Sequence, residues 1–386
     1  MKFAHLADCH VGAWREPALR VLTEQAFSHA INICITERVD FVIIAGDLFH
    51  TALPPMDGVK TVFRALKRLH DTHIPLYFIT GSHDYSPTGK TMLDLIEEAG
   101  IGRNLFRGTV ANGTLRLTWT IDEKTGVKLT GILGRANQLD QALYSQIDRD
   151  TLEHEPGQKI FVFHTGLAEL NDGAAFDTAP VSLLPKGCVY YAGGHVHTRS
   201  ENVIDGKRIV YPGPLFPASF SELEELRSGG FVIVENNHVR RVAVETKPVV
   251  SRVVDCTGLE PLAVSARILE ETTAVNNALV LVRATGELKG KPTDIQWKTV
   301  VDELTVRGAY AVLRNTAALT APERERIMVS TGTVDDIETE VLKEQKIDAV
   351  LARNLMHALA QDIKDGEKRQ QYEDRIVSEG MDALKR

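Results

Sequence analysis

The sequence predicts an α/β fold: a layered core, then a smaller α+β region, then two terminal helices. Three observations support this prediction. Short apolar runs alternate with amphipathic helical patterns over the first 250 residues, as expected of strands that are covered by helices. The histidine and glycine clusters stop after the segment ETKPVVSR. No strand pattern occurs in residues 334–386, where apolar residues recur at helical spacing.

Each element of the core is predicted from a local pattern. Nearly continuous apolar runs predict strands at 3–7, 41–45, 76–80, 160–163 and 189–192. Apolar residues at helical spacing predict amphipathic helices over 59–69 and 92–99. Alternating patterns predict two hairpins, which join 114–120 to 127–133 across IDEKTG and 231–235 to 239–246. The core is therefore a sheet-rich domain that ends near residue 250.

The rest of the chain divides into two regions. Residues 251–330 contain the strand-like segments ALVLVRA and AYAVLR between helical patterns, which predicts a small α+β domain. Residues 331–386 form two apolar helical stripes, Val334, Ile337, Val341 and Leu342 in the first and Val350, Leu351, Leu355, Leu359 and Ile363 in the second. These stripes are typical either of a docking element or of helices that pack on their own domain.

Composition excludes several classes of protein. The 386 residues are 43% hydrophobic and 25% charged, as in ordinary globular proteins. We find no apolar run of the ~20 residues that a membrane span needs, and MKFAHLADCH lacks the pattern of a signal peptide. Four scattered cysteines without a CxxC pair fit a reducing cytosol. The net charge of −8 argues against a globally basic nucleic-acid coat but not against local binding.

Polar clusters follow the predicted strands. They are Asp8 and His10 in ADCH, Asp47 and His50 in GDLFH, His83 and Asp84 in GSHD, His164 in FHTG, and His195 and His197 in GGHVH. Ligands of α/β sheets bind beyond the carboxyl ends of the strands, so these side chains are expected at one rim. A single histidine at a strand end is usually only a polar residue, but five clusters together favour a metal centre.

The residue types indicate which metals fit. Imidazoles and carboxylates suit Mn, Fe or Zn better than Mg. Asp8 and His10 lie two apart and so point to one side of an extended backbone, whereas Cys9 between them points into the core. The two oxygens of Asp47 can bridge two ions about 3.5–4 Å apart, the spacing used for displacement at phosphorus. The other seven histidines lack such neighbours and are predicted in the core or on the surface.

The order of these motifs resembles that of the calcineurin-like metallophosphoesterases. Along the chain they are DxH, GDxxH, GxHD, a solitary His and GHxH. Four features are similar to one branch of this family, the archaeal-type nuclease subunits of the double-strand-break repair complex (meiotic recombination eleven and SbcD type). They are HLADCHVG, AGDLFH, the helix after PP and YYAGGHVHTR…YPGPLFPASFSE. The resemblance implies a four-layer metallophosphoesterase β-sandwich flanked by helices in residues 1–250. It also implies a capping domain at the DNA groove in 251–330 and a partner-binding helical segment in 331–386.

The resemblance also implies the roles of the site residues. One Mn²⁺ would be held by Asp8, His10, Asp47 and His197, and a second by Asp47, Ser82, His164 and His195, with Mg²⁺ a poorer substitute. His83, oriented by Asp84, would stabilise the transition state or protonate the leaving oxygen, and His50 would position the phosphate. The implied activities are 3′-to-5′ exonuclease and single-strand endonuclease cleavage of phosphodiester bonds.

Partners follow from the same resemblance. DNA ends, hairpins and single-stranded regions would be substrates, and the C-terminal helices would bind the coiled-coil base of an ABC-type ATPase. Helices at 55–70 and 91–99 would form a homodimer contact through an exposed stripe of Val59, Phe63 and Leu66, although packing of the helix on its own sheet explains this stripe equally. The expected location is the cytoplasm, in association with the nucleoid and away from membranes.

One residue departs from the implied pattern. At Ser82 the family ordinarily has asparagine, whose amide oxygen binds the second metal, and a serine hydroxyl is a poorer ligand. The substitution is either tolerated or weakens the second site, in a natural or an engineered chain. Two other functions therefore stay open, a phosphodiesterase for small molecules and a DNA-end-binding scaffold with weakened catalysis. Arg103, Arg107, Arg135 and Arg199 are either phosphate contacts or solvated surface residues.

Overall fold

The computed structural model describes residues 1–86, 89–134, 139–170, 178–321, 342, 348–364, 367 and 369–385, without the side chains of 139–142, 349 and 385. The chain divides into two compact units, Met1–Ala321 and Pro322–Arg386. The first unit contains every described strand and the second contains two long helices.

The strands are β1 (Lys2–Leu6), β2 (Phe41–Ala45), β3 (Leu76–Ile79), β4 (Arg103–Asn104), β5 (Gly108–Ala111), β6 (Thr114–Leu117), β7 (Thr120–Ile121), β8 (Lys128–Ile132), β9 (Lys159–His164), β10 (Gly166–Leu167), β11 (Thr178–Ala179), β12 (Tyr190–Gly194), β13 (Ser200–Ile204), β14 (Lys207–Tyr211), β15 (Gly229–Glu235), β16 (His238–Val244), β17 (Val249–Asp255), β18 (Leu279–Glu287) and β19 (Ala311–Thr320). The helices are α1 (Pro17–Thr36), α2 (Met56–Asp71), α3 (Met92–Glu98), α4 (Leu139–Gln146), α5 (Arg149–His154), α6 (Phe220–Leu226), α7 (Pro261–Glu271), α8 (Trp297–Val306), α9 (Ala349–Leu359) and α10 (Arg369–Lys385).

Two six-stranded sheets form the centre of the first unit, in the orders β16-β15-β1-β2-β3-β4 and β13-β14-β12-β9-β8-β7. Apolar side chains from both sheets, including Phe3, Phe41 and Tyr190, fill the space between them. Helices α1–α3 cover the outer face of the first sheet, and α4 and α5 lie outside the second. The predicted four-layer sandwich is confirmed. The sequence could predict it because strands that are buried on both faces read as continuous apolar runs.

One predicted hairpin is wrong. Residues 114–117 pair with β5, and only the two residues of β7 pair with β8 across the IDEKTG turn. The missed signal is the pair Asn112–Gly113, whose positive φ angles of 53° and 76° are those of a two-residue type I′ turn. The second hairpin is confirmed, with Asn236 and Asn237 also in the left-handed region.

Two interpretations of the apolar stripe on α2 were open, and the exposed one is wrong. Val59 and Leu66 are 8% and 0% exposed, and Phe63 packs against the same core. Helix-on-sheet packing therefore accounts for the pattern. The apolar side chains that do face solvent near this helix are Leu53 and Met56, together with Leu95 of α3.

A three-stranded sheet occupies residues 249–320, in the order β17-β18-β19. All of its strands are parallel and are connected through α7 and α8, so this predicted α+β region has the connectivity of an α/β unit. Its first strand begins at Val249, within the segment ETKPVVSR that was expected to precede the region. Leu279 and Leu281 of β18 join the apolar cluster that also contains α1 and α2.

In the second unit, α9 and α10 pack as a helical hairpin. Gly380 of α10 faces α9, since a Cβ at this residue would lie 3.8 Å from the side chains of Leu355 and Leu359. Other apolar side chains, among them Val350, Met356 and Val377, are more than half exposed. Of the first predicted stripe, Val334, Ile337 and Val341 lie outside the described residues. No helix in the described ranges is long and apolar enough to cross a membrane.

Candidate metal centre

Five parallel strand ends bring the predicted polar clusters to one rim. β1 pairs with β2 and β2 with β3 in the first sheet, and β9 pairs with β12 in the second. Just beyond these strands the backbone of Asp8, His10, Asp47 and His195 has positive φ, between 42° and 84°. Such angles are unfavourable for residues with a Cβ and concentrate at functional sites.

Glycines allow the two sheets to approach closely at this rim. A Cβ on Gly194 would lie 2.0 Å from the carbonyl oxygen of Ala45 and 2.7 Å from Nδ1 of His164. A Cβ on Gly46, whose φ is +85°, would lie 2.3 Å from the same nitrogen. The position of His164 therefore depends on the absence of side chains at both residues.

The first group of side chains joins β1 to the loop after β12. Nε2 of His10 lies 3.1 Å from Nε2 of His197, and Oδ2 of Asp47 lies 3.8 Å from Nε2 of His10. Asp8 places Oδ1 4.0 Å from Nε2 of His197, while its carboxylate accepts the backbone N–H of His195 at 2.9 and 3.1 Å. Ligand atoms of Asp8, His10 and His197 all lie within 4.8 Å of one another.

The second group lies around Oδ2 of Asp47, the same oxygen that His10 faces. Nδ1 of His164 donates to the carbonyl of Ala45 at 2.8 Å, which points Nε2 at Oδ2 of Asp47, 3.2 Å away. That buried Nε2 forms no hydrogen bond. Ser82 donates its hydroxyl to the same oxygen at 3.3 Å, and the ring of His195 lies 5.3 Å from that of His164.

The charges of the centre favour cations. Burial opposes ionisation of His164, but the carboxylates of Asp47 and Asp8 raise its pKa to about 10. Burial likewise opposes ionisation of His197, and its hydrogen bond to Glu222 and the charge of Asp8 raise its pKa to about 9. Although burial works against it, His164 holds the pKa of Asp47 well below its usual range. The Asp47 carboxylate therefore attracts positive charge. Imidazole nitrogens with carboxylate oxygens are a suitable donor set for divalent ions, and an ion that binds here would displace the protons of His164 and His197.

His83 and His50 lie at the open side of the centre. Nδ1 of His83 contacts the carbonyl of His50 at 2.8 Å, and the two rings stack with centroids 5.0 Å apart. The ring of His10 lies 4.7 Å from that of His83. Both predicted residues are thus next to the candidate metal ligands.

Asp84 does not have the role that was expected of it. Its carboxylate accepts the backbone N–H groups of Leu48, Phe49 and Gly81, at 2.8 to 3.2 Å. It therefore ties the loop after β2 to the loop after β3, and the imidazole of His83 is oriented by the His50 carbonyl instead. The backbone N–H of His83 donates to Oδ1 of Asp47 at 2.8 Å.

Glu222 is a site residue that sequence reasoning missed. Its Oε1 lies 3.0 Å from Nδ1 of His197, so it fixes the ring that presents Nε2 to the centre. Two local signals include it: the segment YPGPLFPASFSE, which ends at Glu222, and the Ser219-x-x-Glu222 pattern of a helix start, which is seen at α6. That pattern predicts a cap and contains no information about a histidine from another segment.

The remaining predictions lie outside the centre. Arg103 and Arg107 pair with Glu123 and Glu97, Arg199 is exposed, and Arg135 is outside the described residues. Cys9 is fully buried and belongs to the apolar core, as predicted.

Residues 1–199 match the family model of the calcineurin-like phosphoesterases. The chain is similar to the DNA double-strand break repair protein Mre11 of Archaeoglobus fulgidus, at 28% identity over 64% of this chain and 60% of that protein. It is 32% identical to the Mre11 of Sulfurisphaera tokodaii over 53% of this chain and 51% of the relative. It is 29% identical to the Mre11 of Haloferax volcanii over 73% of this chain and 61% of the relative. The chain therefore spans between half and about three fifths of the length of these relatives.

Proposed function

This chain belongs to the calcineurin-like phosphoesterase family, and we propose that it is a metal-dependent DNA nuclease of double-strand-break repair. The observation that carries the proposal is the convergence of two buried carboxylates and four histidines at one rim, next to His83. Similarity to Mre11 proteins of several archaea supports DNA as the substrate, with exonuclease and single-strand endonuclease cleavage as the reactions.

We propose two Mn²⁺ ions as the cofactors. Asp8, His10, Asp47 and His197 would hold one ion, and Asp47, Ser82, His164 and His195 the other. Divalent ions at such a centre supply Lewis acidity, which neutralises the phosphate and stabilises the charge that develops at phosphorus. Imidazole donors favour Mn²⁺ over Mg²⁺, which prefers oxygen ligands.

The chain's own groups hold and move the proton. Because a carbonyl oxygen only accepts hydrogen bonds, the contact with His50 requires Nδ1 of His83 to carry a proton. Nε2 is then the atom that exchanges a proton with the leaving oxygen. The stacked ring of His50 keeps the plane of His83 fixed, and the bond from the His83 N–H to Asp47 fixes its distance from the carboxylate.

A groove in the first unit supports a polymeric substrate. It has a volume of about 590 Å³ and lies between the loop after β1, helix α6 and the three-stranded sheet. The groove is lined by the aromatic side chains Trp14, Phe220 and Trp297, the cations Lys298 and Arg314, and the acids Glu16 and Asp302. Aromatic rings and cations are what single-stranded nucleic acid binds, whereas a small phosphodiester needs no such groove.

Three further parts belong to the proposal. The C-terminal helices, with their exposed apolar side chains, would bind an ABC-type ATPase. A second copy of the chain would pair through the surface near Leu53, Met56 and Leu95. The location would be the cytoplasm, at the nucleoid, as expected for a protein that acts on DNA.

The test uses the full chain with Mn²⁺, a labelled DNA hairpin and bis-p-nitrophenyl phosphate. Wild type should cleave both, and His83→Ala should lose most of its activity on each while it keeps Mn²⁺ binding. Cleavage of the small ester alone would identify a small-molecule phosphodiesterase. Mn²⁺-independent DNA binding without cleavage of either compound would identify a scaffold.

A further inference from the structure

Helix α6 lies between the metal centre and the three-stranded sheet. Leu223, fully buried, anchors the helix in the core of the first unit. Glu222 and Glu224 are two positions apart, about 200° around a helix, so they extend to opposite sides. One carboxylate reaches the centre and the other reaches the sheet.

On the side of the centre, the Glu222 carboxylate has several partners. Oε1 contacts Nδ1 of His197 at 3.0 Å and accepts the Ser219 hydroxyl at 3.1 Å. Oε2 accepts the backbone N–H of Ala218 at 2.9 Å. These bonds make the carboxylate part of the helix start, so the His197 ring follows the position of the helix.

On the opposite side, the sheet holds the same helix. Oε2 of Glu224 accepts two hydrogen bonds from Arg283 of β18, from Nε at 3.0 Å and from Nη2 at 2.6 Å, and Oε1 accepts the Ser251 hydroxyl at 3.1 Å. The guanidinium of Arg283 also lies 5.2 Å from the ring centre of Phe220. Both charged side chains are about one quarter exposed, which leaves their interaction only partly screened by solvent.

We propose that Arg283 and Glu224 are positioning residues for the metal centre, and that they act through α6 and Glu222 on the imidazole of His197. The inference rests on the proposed two-ion centre. It extends that proposal, because the affinity for the ion would then depend on the contact between α6 and the three-stranded sheet. Arg227, the residue that follows α6, also ties the helix to the sheet by donating to the carbonyl of Val249 at 3.3 Å.

The experiment is calorimetric titration of Mn²⁺ into the full chain. Glu222→Ala should weaken the ion site that contains His197 by about 10- to 100-fold, as is typical when the partner of a histidine ligand is removed. Arg283→Gln and Glu224→Gln remove the same ion pair from either side, and each should weaken that site by a smaller and equal factor. In the Glu222→Ala background, Arg283→Gln should cause no further loss, because the path to His197 is already broken.

Arg267→Gln is the matched control. It breaks the ion pair with Glu271 (2.7 Å) in α7, a helix of the same region that has no described bond to α6, and should leave Mn²⁺ affinity unchanged. Wild-type affinity in Arg283→Gln, or independent losses in the double variant, would overturn the inference while leaving the two-ion centre intact. A wild-type chain that binds no Mn²⁺ would overturn both.

Discussion

At the scale of single residues, Asp47 is the most heavily engaged side chain of the centre. Oδ1 accepts the backbone N–H of His83, and Oδ2 accepts the Ser82 hydroxyl and faces Nε2 of His164. Ser82 thus acts as a donor toward the carboxylate. A neutral hydroxyl oxygen is a poorer ligand than an amide oxygen, so Ser82 is a weak member of the second group.

Replacing Ser82 by asparagine should strengthen the second ion site. The amide oxygen is a pure acceptor on a longer side chain, so Ser82→Asn should raise Mn²⁺ affinity of the weaker site by roughly tenfold, equivalent to about 1.4 kcal/mol. Calorimetry with the two proteins measures the change, and Ser82→Ala is the control that removes the hydroxyl. Identical occupancy and affinity of both sites in all three proteins would show that residue 82 does not determine ion binding.

Sequence alone identified the residues whose spacing is set by the local backbone. Asp8 and His10 follow a strand, and polar residues at that place meet at the rim of a parallel sheet. The extended backbone that was assumed for them is wrong, since β1 ends at Leu6 and both residues have positive φ. The roles of Asp84 and Glu222 were not predictable, because each depends on contacts with a distant segment. Asp84 bonds to backbone N–H groups 35 and 36 residues away, and backbone groups have no sequence signature.

At the scale of elements, the accuracy of prediction followed the type of pattern. Five buried parallel strands were found to within one or two residues, because they read as continuous apolar runs. Strand β14, which is parallel to β12 and mostly buried, was missed. The β5–β6 hairpin was missed although Asn112–Gly113 encodes its turn, since its exposed strand β5 has no apolar pattern. Helix α1 was also unpredicted, and its 20 residues are buried along one face against the first sheet.

The contact between β2 and β12 should be intolerant of any side chain at Gly194. A Cβ would meet the Ala45 carbonyl at 2.0 Å, so Gly194→Ala should lower the free energy of unfolding by about 3 kcal/mol through overpacking. Denaturant unfolding gives the value. Gly58→Ala is the matched control, since its Cβ has no neighbour closer than 3.6 Å and lies in α2, where alanine should add roughly 0.5–1 kcal/mol. Equal stability of the two variants would contradict the tight packing of the rim.

At the scale of the whole molecule, the first unit combines two kinds of sheet. The mixed sandwich presents the metal centre, and the three-stranded parallel sheet packs beside it through Leu279 and Leu281. Residues 249–320 could be predicted as strands and helices, but where their sheet docks was not predictable, because docking depends on individual apolar and charged contacts. That docking creates the groove between the loop after β1, helix α6 and the three-stranded sheet.

The groove can distinguish a DNA nuclease from a phosphodiesterase for small molecules. Lys298 and Arg314 are exposed at its wall, and the guanidinium of Arg314 lies 5.3 Å from the ring centre of Trp297. If a DNA strand occupies the groove, each cation that neutralises a phosphate contributes through release of counterions. The double variant Lys298→Ala/Arg314→Ala should then bind single-stranded DNA more weakly. Its slope of log affinity against log salt concentration should fall by about 0.7 for each phosphate that the variant no longer neutralises.

The same variant should hydrolyse bis-p-nitrophenyl phosphate at the wild-type rate, because neither side chain is among the candidate metal ligands. Lys67→Ala/Arg116→Ala removes one lysine and one arginine from exposed surfaces outside the groove and controls for the change in net charge. Titration of fluorescent single-stranded DNA at several salt concentrations measures both pairs. If the two double variants lose affinity equally, binding reflects overall charge and the groove does not carry the strand. A selective loss in the groove variant, with unchanged turnover of the small ester, is expected of a centre that cleaves DNA held by the three-stranded sheet.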